Sequence, residues 1–403
     1  MKATAHWRLA TVADICEMRN GHGFGPEDWS DKGLPIIRIQ NLNGGKNFDY
    51  FAGQPDPRWL VEPGQLLFAW AGTKGVSFGP TVWRGPVGVL NQHIFKVFPK
   101  DGIDQDWLYW ALRHVTDRIE GSAHGFKATL VHVKKSDIDR QSVHIPDPIE
   151  QRRISKVLAT WDEAISAAER MIAVTQRRNR AFAWSVLNGK RRFASNREVW
   201  KYVDLDQVFE RVTTRNSVGN DNVLTISGEH GLISQREFFS KSVASADLSG
   251  YTLLHRGEFA YNKSYSAGYP MGAIKPLMSY DAGVVSSLYL CFRLRPGVES
   301  SFDFFRHYFE LGLLTEGIGG IAQEGARNHG LLNVGIGDFF KLRLHVPDVY
   351  EQRAIATVIN TAEAEERLQV QRLSALRTEK LALMQQLLMG KRRVRLPAAE
   401  TTP

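Results

Sequence analysis

The sequence predicts an α+β protein in which two globular segments alternate with two long helices. Three observations predict this arrangement: an internal repeat, apolar residues at helical spacing in both copies of the repeat, and strand-like runs with glycine turns upstream of each copy. The chain has 403 residues, and 43% of them are hydrophobic. That length suggests two or three domains, and that apolar content is ample for folded cores.

The repeat is visible at both ends of two segments. Residues 145–154 read IPDPIEQRRI, and residues 346–355, which lie 201 positions further along, read VPDVYEQRAI. The same offset carries GKRR at 189–192 onto GKRR at 390–393. Because both ends match with no gap between them, the two segments have equal length and a common design.

Each repeated segment has the pattern of one long helix. Asp147 and Asp348 are placed as N-caps, and a glutamate three residues after each can close a capping box. Apolar residues then recur at steps of three and four. Gly189 and Gly390 supply the expected C-terminal stop. At ~1.5 Å rise per residue, such a helix of about 40 residues is roughly 60 Å long.

A helix of this length with one apolar stripe needs a packing partner. We expect the two repeats to pack against each other as an antiparallel coiled-coil-like pair, which gives the chain a pseudo-two-fold internal repeat. The alternative is that each stripe is buried only against its own globular segment.

Each predicted helix follows a globular segment, and the two globular segments are distantly alike. Trp7 to Ile15 resembles Trp200 to Val208, and Val89 to Phe98 resembles Val284 to Arg293, whereas the stretches between these anchors diverge. The predicted boundaries are a first globule at 1–144, a first spacer helix at 145–193, a second globule at 194–345, a second spacer helix at 346–396 and a disordered tail at 397–403.

The chain carries a formal net charge of +8, which attracts phosphate polyanions such as nucleic acids. Charge alone is equally compatible with an ordinary basic protein. No run of 18 or more apolar residues is present, and the first residues lack the apolar stretch of a secretory signal. Cys16 and Cys291 are the two cysteines, too few for a disulfide framework. We therefore expect a cytoplasmic protein with no membrane partner.

This layout, with P-x-x-x-E-Q-R-x-I opening both helices, resembles the specificity subunits of type I restriction–modification systems. The resemblance covers essentially the whole chain and is most specific at 145–154 and 346–355. It implies that each globule is a target recognition domain that reads one half of a bipartite site in double-stranded DNA. It also implies that the helices separate the globules and dock two modification subunits, with restriction and translocase subunits joining through the assembled complex. Since the globules differ, we expect an asymmetric site.

Sequence motifs for catalysis are missing. No Asp or Glu stands two positions before a Lys, as a common nuclease type requires, and the chain has neither a Pro-Pro pair nor a phosphate-binding GxxxxGK[ST] loop. His114, His124 and His132 lack Cys or Glu partners at metal-ligand spacing. We therefore expect a non-catalytic subunit without metal or cofactor, and the resemblance places S-adenosylmethionine, ATP and Mg in partner subunits. The open alternatives are the recognition half of a split restriction–methylation enzyme of another type and a protein-binding adaptor.

Base edges are read by Arg, Lys, Asn, Gln and occasionally His side chains on rigid supports. Such residues follow predicted strand ends in both globules, although any single one could be an ordinary solvated loop residue. The candidate DNA-binding residues are Arg38, Gln40, Asn41, Asn43, Lys74, Gln92, His93, His124, Lys127, Asn262, Lys263, Arg327, Asn328 and His329.

The two helices carry the residues that we expect to meet the partner subunits. These candidates are Glu150, Gln151, Arg152, Ile154, Trp161, Glu351, Gln352, Arg353 and Ile355. The basic clusters Lys190–Arg192 and Lys391–Arg393 suit the negative end of a helix dipole. We predict that they end the helices and contact a partner, with phosphate binding as the alternative.

Overall fold

The structure is a computed structural model, and it describes residues 7–122, 130–193, 198–228, 230–238, 247–265, 268–324 and 332–394. It forms two compact units. Unit 1 contains residues 1–169 and 371–403, and unit 2 contains residues 170–370. Each unit therefore combines one globule with part of both long helices, whereas the predicted boundaries follow the order along the chain. The predicted tail at 397–403 lies outside the described residues.

The first globule is built mainly from short strands. Its strands are β1 (Arg8–Thr11), β2 (Cys16–Asn20), β3 (Trp29–Ser30), β4 (Leu34–Ile37), β5 (Tyr50–Phe51), β6 (Leu60–Val61), β7 (Leu66–Ala69), β8 (Ala71–Thr73), β9 (Gly79–Val82), β10 (Gly88–Leu90), β11 (Ile94–Pro99), β12 (Leu130–His132) and β13 (Ser142–Ile145). Its helices are α1 (Val12–Ile15), α2 (Ile39–Leu42), α3 (Gln105–Ser122) and α4 (Lys135–Asp139), with a 3-10 turn at Pro26–Asp28, and the first long helix, α5 (Pro148–Leu187), follows.

Two sheets organise the first globule. One has the strand order β2-β11-β7-β9 and is antiparallel throughout, and the other has the order β3-β5-β4-β10-β6. Helix α3 packs on β9, where Gly79 allows the close approach: a Cβ at this position would lie 2.8 Å from the Thr116 hydroxyl. Phe68, Phe95 and Trp107 form part of the core between α3 and the first sheet.

The second globule repeats part of this plan. Its strands are β14 (Lys201–Asp204), β15 (Phe209–Arg211), β16 (Leu224–Ser227), β17 (Gly231–Ser234), β18 (Thr252–His255), β19 (Phe259–Asn262), β20 (Ala273–Pro276), β21 (Ala282–Val285), β22 (Tyr289–Leu294), β23 (Gln323–Glu324), β24 (Leu332–Asn333) and β25 (Arg343–Val346). Its helices are α6 (Leu205–Val208), α7 (Gln235–Phe238), α8 (Phe302–Glu310), α9 (Thr315–Ile321) and α10 (Ile336–Phe340), and the second long helix, α11 (Val349–Leu388), follows.

The matching parts of the two globules are those nearest the long helices. The antiparallel sheet β15-β22-β19-β20 corresponds to β2-β11-β7-β9, and the pair β14-β25 corresponds to β1-β13. The core of the second globule is more aromatic, with Phe209, Phe259, Phe292 and Phe305 all buried. The other sheets differ: the second globule has the separate pairs β16-β17 and β18-β21 where the first has a five-stranded sheet. The predicted likeness and divergence are both present.

The long helices have equal length, 40 residues each, as the repeat predicts. The predicted N-caps are confirmed: Asp147 Oδ1 accepts from the Glu150 amide at 2.9 Å, and Asp348 Oδ1 accepts from the Glu351 amide at 3.0 Å. Beyond the helix ends, Gly189 and Gly390 have φ angles of 75° and 66°, the left-handed conformation that glycine adopts at a C-terminal stop.

Within each unit the two helices run antiparallel. In unit 1, Asp162 pairs with Lys380, and Arg377 donates to Glu169 at 2.6 Å. In unit 2, Asn179 donates to Glu366 at 2.6 Å, and Arg192, just beyond α5, pairs with Glu351 at 2.7 Å. In each unit the partner numbers fall along one segment as they rise along the other, which confirms the antiparallel pairing.

The apolar stripe of each long helix is buried both against the other long helix and against a globule. In unit 1, Ile154 and Leu158 of α5 share one core with Met384 of α11 and with Trp107 of the first globule. In unit 2, Leu187 and Ile355 share a core with residues of the second globule. Helix pairing and packing on the globule therefore occur together. None of the helices in the described ranges is long and apolar enough to cross a membrane.

Candidate nucleic-acid interface and helix junctions

The polar loop after β4 is held by two of its own predicted DNA-binding residues. Asn41 is 6% exposed, and its amide donates to the carbonyls of Gly45 at 3.1 Å and Asn47 at 2.9 Å while accepting from the Arg38 amide at 2.9 Å. Its side chain therefore shapes the loop, and the prediction that Asn41 reads bases is wrong for this conformation. The Arg38 guanidinium lies 4.8 Å over the Trp29 ring.

Two residues of the same loop remain available to a ligand. Gln40 and Asn43 are exposed, and Asn43 makes one long hydrogen bond, 3.3 Å, to the Ile39 carbonyl. Arg38 is also paired with Asp49, so its charge is partly neutralised. Base contact by Arg38, Gln40 and Asn43 stays a prediction.

Lys74 lies in the turn after β8 and fastens this turn to the end of α3. Its ammonium donates to the Glu120 carbonyl oxygen at 2.7 Å, and the Gly75 amide donates to the Glu120 carboxylate at 2.8 Å. The Lys74 residue is exposed, and an ammonium has three donors. A phosphate contact by Lys74 is therefore compatible with this anchoring role.

A ring cluster that the sequence reasoning missed lies beside the predicted Gln92 and His93. The Trp70 ring centroid is 5.1 Å from that of His93 and 4.8 Å from that of His132, and the Trp70 indole donates to the Gln92 carbonyl at 3.2 Å. Gln92 and His132 are exposed. An exposed cluster of aromatic and imidazole rings can stack on bases or bind backbone phosphate. The strand pattern gave no signal for this cluster, because Leu66–Ala69 are buried without alternation and Trp70 is half-buried against the same core.

Asn262 and Lys263, the two predicted residues of the second globule that the structure describes, are half-buried. Asn262 Oδ1 accepts from the Ser264 amide at 3.1 Å, and the Lys263 carbonyl accepts from the Leu332 amide at 2.9 Å. The hairpin that follows Asn262 is anchored by Lys275, which is 4% exposed and donates to the Tyr269 hydroxyl at 2.8 Å and also to Glu310.

Five predicted DNA-binding residues lie outside the described residues: His124, Lys127, Arg327, Asn328 and His329.

Each unit contains one junction of a tryptophan, a glutamate and an arginine. In unit 1 the Glu150 carboxylate accepts from the Trp7 indole at 3.0 Å and from the Arg393 guanidinium through two bonds of 2.6 Å. In unit 2 the Glu351 carboxylate accepts from Trp200 at 3.1 Å and from Arg192 at 2.7 and 3.2 Å. We call these the Trp7–Glu150–Arg393 junction and the Trp200–Glu351–Arg192 junction.

The helix-stop glycines belong to the same junctions. A Cβ on Gly390 would lie 3.2 Å from the Trp7 ring, and a Cβ on Gly189 would lie 3.2 Å from the Trp200 ring. The glycine therefore both ends the helix and makes room for the indole. The hydrogen bonds to glutamate raise the pKa of Arg393 and of Arg192, so both guanidinium groups stay charged.

The glutamine after each junction glutamate fastens the helix start to its globule. Gln151 accepts from the Asp104 amide at 2.8 Å and donates to the carbonyls of Pro146 and Gly102. Gln352 accepts from the Ser301 amide at 2.9 Å and donates to the Pro347 carbonyl. The E-Q pair that the two helices share is thus part of the internal construction of each unit.

This burial corrects the predicted partner-binding set. Six of the nine residues are buried inside their own unit, so they offer no surface to a partner: Glu150, Gln151, Ile154, Glu351, Gln352 and Ile355. Arg152 and Arg353 are exposed and Trp161 is half-exposed, and partner contact by these three stays a prediction. The clusters at 190–192 and 391–393 each contribute their last arginine to a junction.

A large cleft in unit 1 lies between the first globule and α5. Its volume is about 1110 Å³. Its lining includes four basic and four acidic side chains: Lys46, Arg84, Arg152, Lys156, Asp104, Asp106, Asp162 and Glu163. A cleft with balanced charge does not attract a polyanion, so it favours contact with protein over contact with DNA.

The two cysteines have no redox or metal-binding geometry. Burial raises the pKa of Cys16 and of Cys291 to about 12, which keeps both thiols protonated at neutral pH. Among the residues that the structure describes, no three His, Cys, Asp or Glu side chains converge as a metal site.

Comparison with known families agrees with this architecture. Residues 5–176 match the family described as the type I restriction modification DNA specificity domain. The match covers the first globule and α5 as far as residue 176, so less than half of the chain is similar to this specificity domain.

Individual relatives are distant. The chain is 23% identical over 207 residues to the type I restriction enzyme EcoBI specificity subunit of Escherichia coli, a match that covers 50% of this chain and 42% of that protein. The matched part thus spans less than half of the relative's length.

Two solved structures have a similar fold. The HsdS subunit from Thermoanaerobacter tengcongensis gives a TM-score of 0.52 at 13% identity, covering 97% of this chain and 99% of that one. A structure described as the "structural basis underlying complex assembly and conformational transition of the type I R-M system" gives 0.60 at 15% identity, covering 96% and 99%. At these identities the likeness shows the fold, and it confirms the predicted α+β arrangement of globules and long helices.

Proposed function

We propose that the chain is a non-catalytic subunit that selects the DNA site for a type I restriction–modification complex. Each globule reads one half of an asymmetric bipartite site in double-stranded DNA. The long helices set the distance between the halves and dock two modification subunits, and restriction and translocase subunits join through that complex. S-adenosylmethionine, ATP and Mg belong to the partner subunits. The complex works in the cytoplasm, where the host DNA lies.

The observation that carries this proposal is the contrast between constant and variable parts of the two units. The helices, the sheets next to them and the Trp–Glu–Arg junctions are built alike in both. The more distant sheets and their polar loops differ. A protein that holds two readers on one common support, and lets each reader specify its own sequence, needs this division.

The exposed polar groups of the first globule support DNA contact. Gln40, Asn43 and Gln92 are exposed residues with amide side chains on loops that follow strands. Amide side chains pair with adenine edges in the major groove. Trp70 and His132 add ring surface beside Gln92. Lys74 offers a phosphate contact, which positions a reader without specifying sequence.

The support for partner docking lies on the helices. Arg152 and Arg353 are exposed at equivalent positions of α5 and α11, and Arg152 lines the cleft of balanced charge in unit 1. Two equivalent exposed positions on two equivalent helices suit two copies of one partner.

The spacing role has a direct test. We expect that inserting about four residues, roughly one helical turn, into both α5 and α11 lengthens the unread gap and leaves both half-sites unchanged. The site is mapped from methylated positions in a genome that carries the modification partner. A change of the half-sites at constant gap contradicts the spacing role.

The two alternatives are separated by binding measurements. With the modification partner present, we expect one bipartite sequence to be enriched from random-sequence DNA. An adaptor that binds only protein enriches no sequence. The recognition half of a different split enzyme enriches a sequence but does so with a partner of another type.

A further inference from the structure

Unit 1 contains a second, smaller cavity next to the helix ends. It lies between α3, β13 and the last turn of α11, and its volume is about 250 Å³. One water occupies ~30 Å³ of liquid, and drug-sized ligands fill pockets of roughly 300–1,000 Å³. The space is therefore suited to a small organic molecule with a single ring.

The polar atoms on its wall attract an acceptor. Trp107 is 1% exposed, and its indole Nε1–H is buried without a hydrogen-bond partner. His114 Nδ1 is likewise buried without a partner. Arg118 donates to the Ser142 carbonyl at 2.7 Å and adds a positive charge. The lining contains no acidic side chain: it consists of Trp107, Ala111, His114, Arg118, Ser142, Val143, His144, Gln385, Leu388 and Met389.

The corresponding place in unit 2 is filled by a side chain of the protein itself. The backbone amides that bind Gln151 and Gln352 belong to Asp104 and Ser301, which align α3 with α8. In this alignment Ala111 corresponds to Tyr308. Tyr308 is 5% exposed.

The contacts of Tyr308 show what this space accepts. Burial raises the pKa of Tyr308, and a hydrogen bond with the backbone of His345 opposes that rise. His345 corresponds to His144 at the 201-residue offset, and His144 lines the cavity of unit 1. A single ring with an oxygen therefore occupies in unit 2 the space that Ala111 leaves open in unit 1.

The polar wall is also specific to unit 1. Trp107, His114 and Arg118 correspond to Phe304, Leu311 and Thr315, so the three nitrogen groups are replaced together where the space is filled. The Trp107 indole N–H is a buried donor without a partner, which costs free energy, and a bound acceptor relieves that cost. The three nitrogen groups stand beside an open space in unit 1 and are replaced beside a filled one in unit 2, which points to a ligand.

We propose that this cavity of unit 1 binds a small aromatic carboxylate. Its ring lies against Ala111, Leu388 and Met389, and its carboxylate accepts from the Trp107 indole, with the Arg118 guanidinium as the neighbouring positive charge. Charge-assisted hydrogen bonds of this kind are stronger than those between neutral groups. The site is independent of DNA reading, so its failure leaves the proposed function untouched.

The ionisable groups that face the cavity set the expected pH dependence. Burial, with Arg118 and His144 nearby, lowers the pKa of His114 to about 4. A bound carboxylate offsets these influences and raises that pKa. Binding therefore takes up protons and tightens as the pH falls from 7 toward 5.

The test uses the full-length chain and benzoate as the probe, with calorimetric titration at pH 6. We expect saturable binding with one site per chain and a rise in thermal midpoint at saturation. Ala111→Tyr places a ring as in unit 2 and should abolish binding. Trp107→Phe, which removes the N–H as in Phe304, should weaken it about tenfold, the loss expected for about 1.4 kcal/mol. Ser136→Ala on the exposed side of α4 is the matched control and should bind as the parent does.

The contrary outcomes are equally definite. Benzoate that does not bind, or that binds equally well to the parent, Ala111→Tyr and Trp107→Phe, overturns the proposal. If Ala111→Tyr fails to fold, Trp107→Phe decides alone. A benzoate-soaked crystal whose cavity contains only water also overturns it. Weaker binding of benzamide, the neutral analogue, than of benzoate supports the requirement for a negative charge.

Discussion

The two Trp–Glu–Arg junctions make the same hydrogen bonds, but the arginine and the tryptophan are close in sequence in one junction and far apart in the other. In the Trp200–Glu351–Arg192 junction, the arginine and the tryptophan are eight positions apart in one segment. In the Trp7–Glu150–Arg393 junction, they come from opposite ends of the described chain, 386 positions apart. Each glutamate nevertheless accepts one indole and one guanidinium at similar distances. The contact is therefore a property of the packed unit and does not depend on a short covalent connection.

The comparison also shows why the junction residues are of these types. Glu351 is 1% and Glu150 4% exposed, and a buried carboxylate needs a charged and hydrogen-bonded partner. Arginine supplies two donors in a fixed fork, and tryptophan supplies one donor from an apolar ring that packs on the helix-stop glycine.

Loss of either glutamate should produce the largest effect. Glu351→Ala and Glu150→Ala each leave a buried indole N–H and a guanidinium without their acceptor, so we expect each to lower the free energy of unfolding by about 3–5 kcal/mol. Urea unfolding followed by circular dichroism measures the change. We expect the two variants to lose similar amounts of unfolding free energy. A difference between Glu150→Ala and Glu351→Ala that is larger than the smaller of the two losses would mean that the covalent connection of the junction residues matters more than their packing.

Replacing the glutamine that follows each junction glutamate should lower the unfolding free energy by different amounts in the two units. Gln151 makes hydrogen bonds to Asp104, Pro146 and Gly102, whereas Gln352 bonds to Ser301 and Pro347. We expect losses of about 1–3 kcal/mol for Gln151→Ala and Gln352→Ala, with the larger loss for Gln151 because it has one more partner. The same urea titrations give the order, and a larger loss at Gln352 would contradict the reading of these contacts.

A difference in pH response should follow from His114, whose counterpart in unit 2 is Leu311. The pKa of His114 is about 4 in the folded protein, below its ordinary value near 6.5. The unfolded chain then binds more protons, so this group costs stability as the pH falls from 6.5 toward 4. We expect His114→Leu to lose less stability than the parent between pH 7.5 and pH 5, measured by thermal melts in the absence of carboxylate buffers.

The exposed ion pair between the helices should matter least. Arg377 and Glu169 of unit 1 are both well exposed, so we expect Arg377→Ala to change the unfolding free energy by only about 0–1 kcal/mol. The effect should shrink further in high salt. A loss as large as that of Glu150→Ala would mean that the surface pair, and not the junction, holds the helices in unit 1.

Features that depend on residues close together in the sequence could be predicted, whereas contacts between residues far apart in the sequence could not. The ends of α5 and α11 depend on local signals, Asp147 and Gly189 in one and Asp348 and Gly390 in the other, and both were predicted to within two residues. The antiparallel pairing followed because an apolar stripe on a long helix has few ways to be buried.

The junctions were not predicted, because their partners are far apart in sequence: Trp7 and Glu150 are separated by 143 positions, Glu150 and Arg393 by 243. Their residues were visible, but the E-Q-R pattern was interpreted as a partner surface. Asn41 failed for a related reason, because an asparagine that folds a loop and one that reads a base are alike until its hydrogen bonds are known. Only the doubled occurrence of Trp, Glu and Arg at near-equal offsets could have suggested a structural role.

The most direct test of the proposed two independent readers on a common support is an exchange of residues 1–144 for the first globule of a type I specificity subunit. The exchanged chain is produced with the modification partner, and methylated positions are mapped across the host genome. We predict that one half-site changes while the other half-site and the gap stay the same. A change in both half-sites, or in neither, would contradict the proposal.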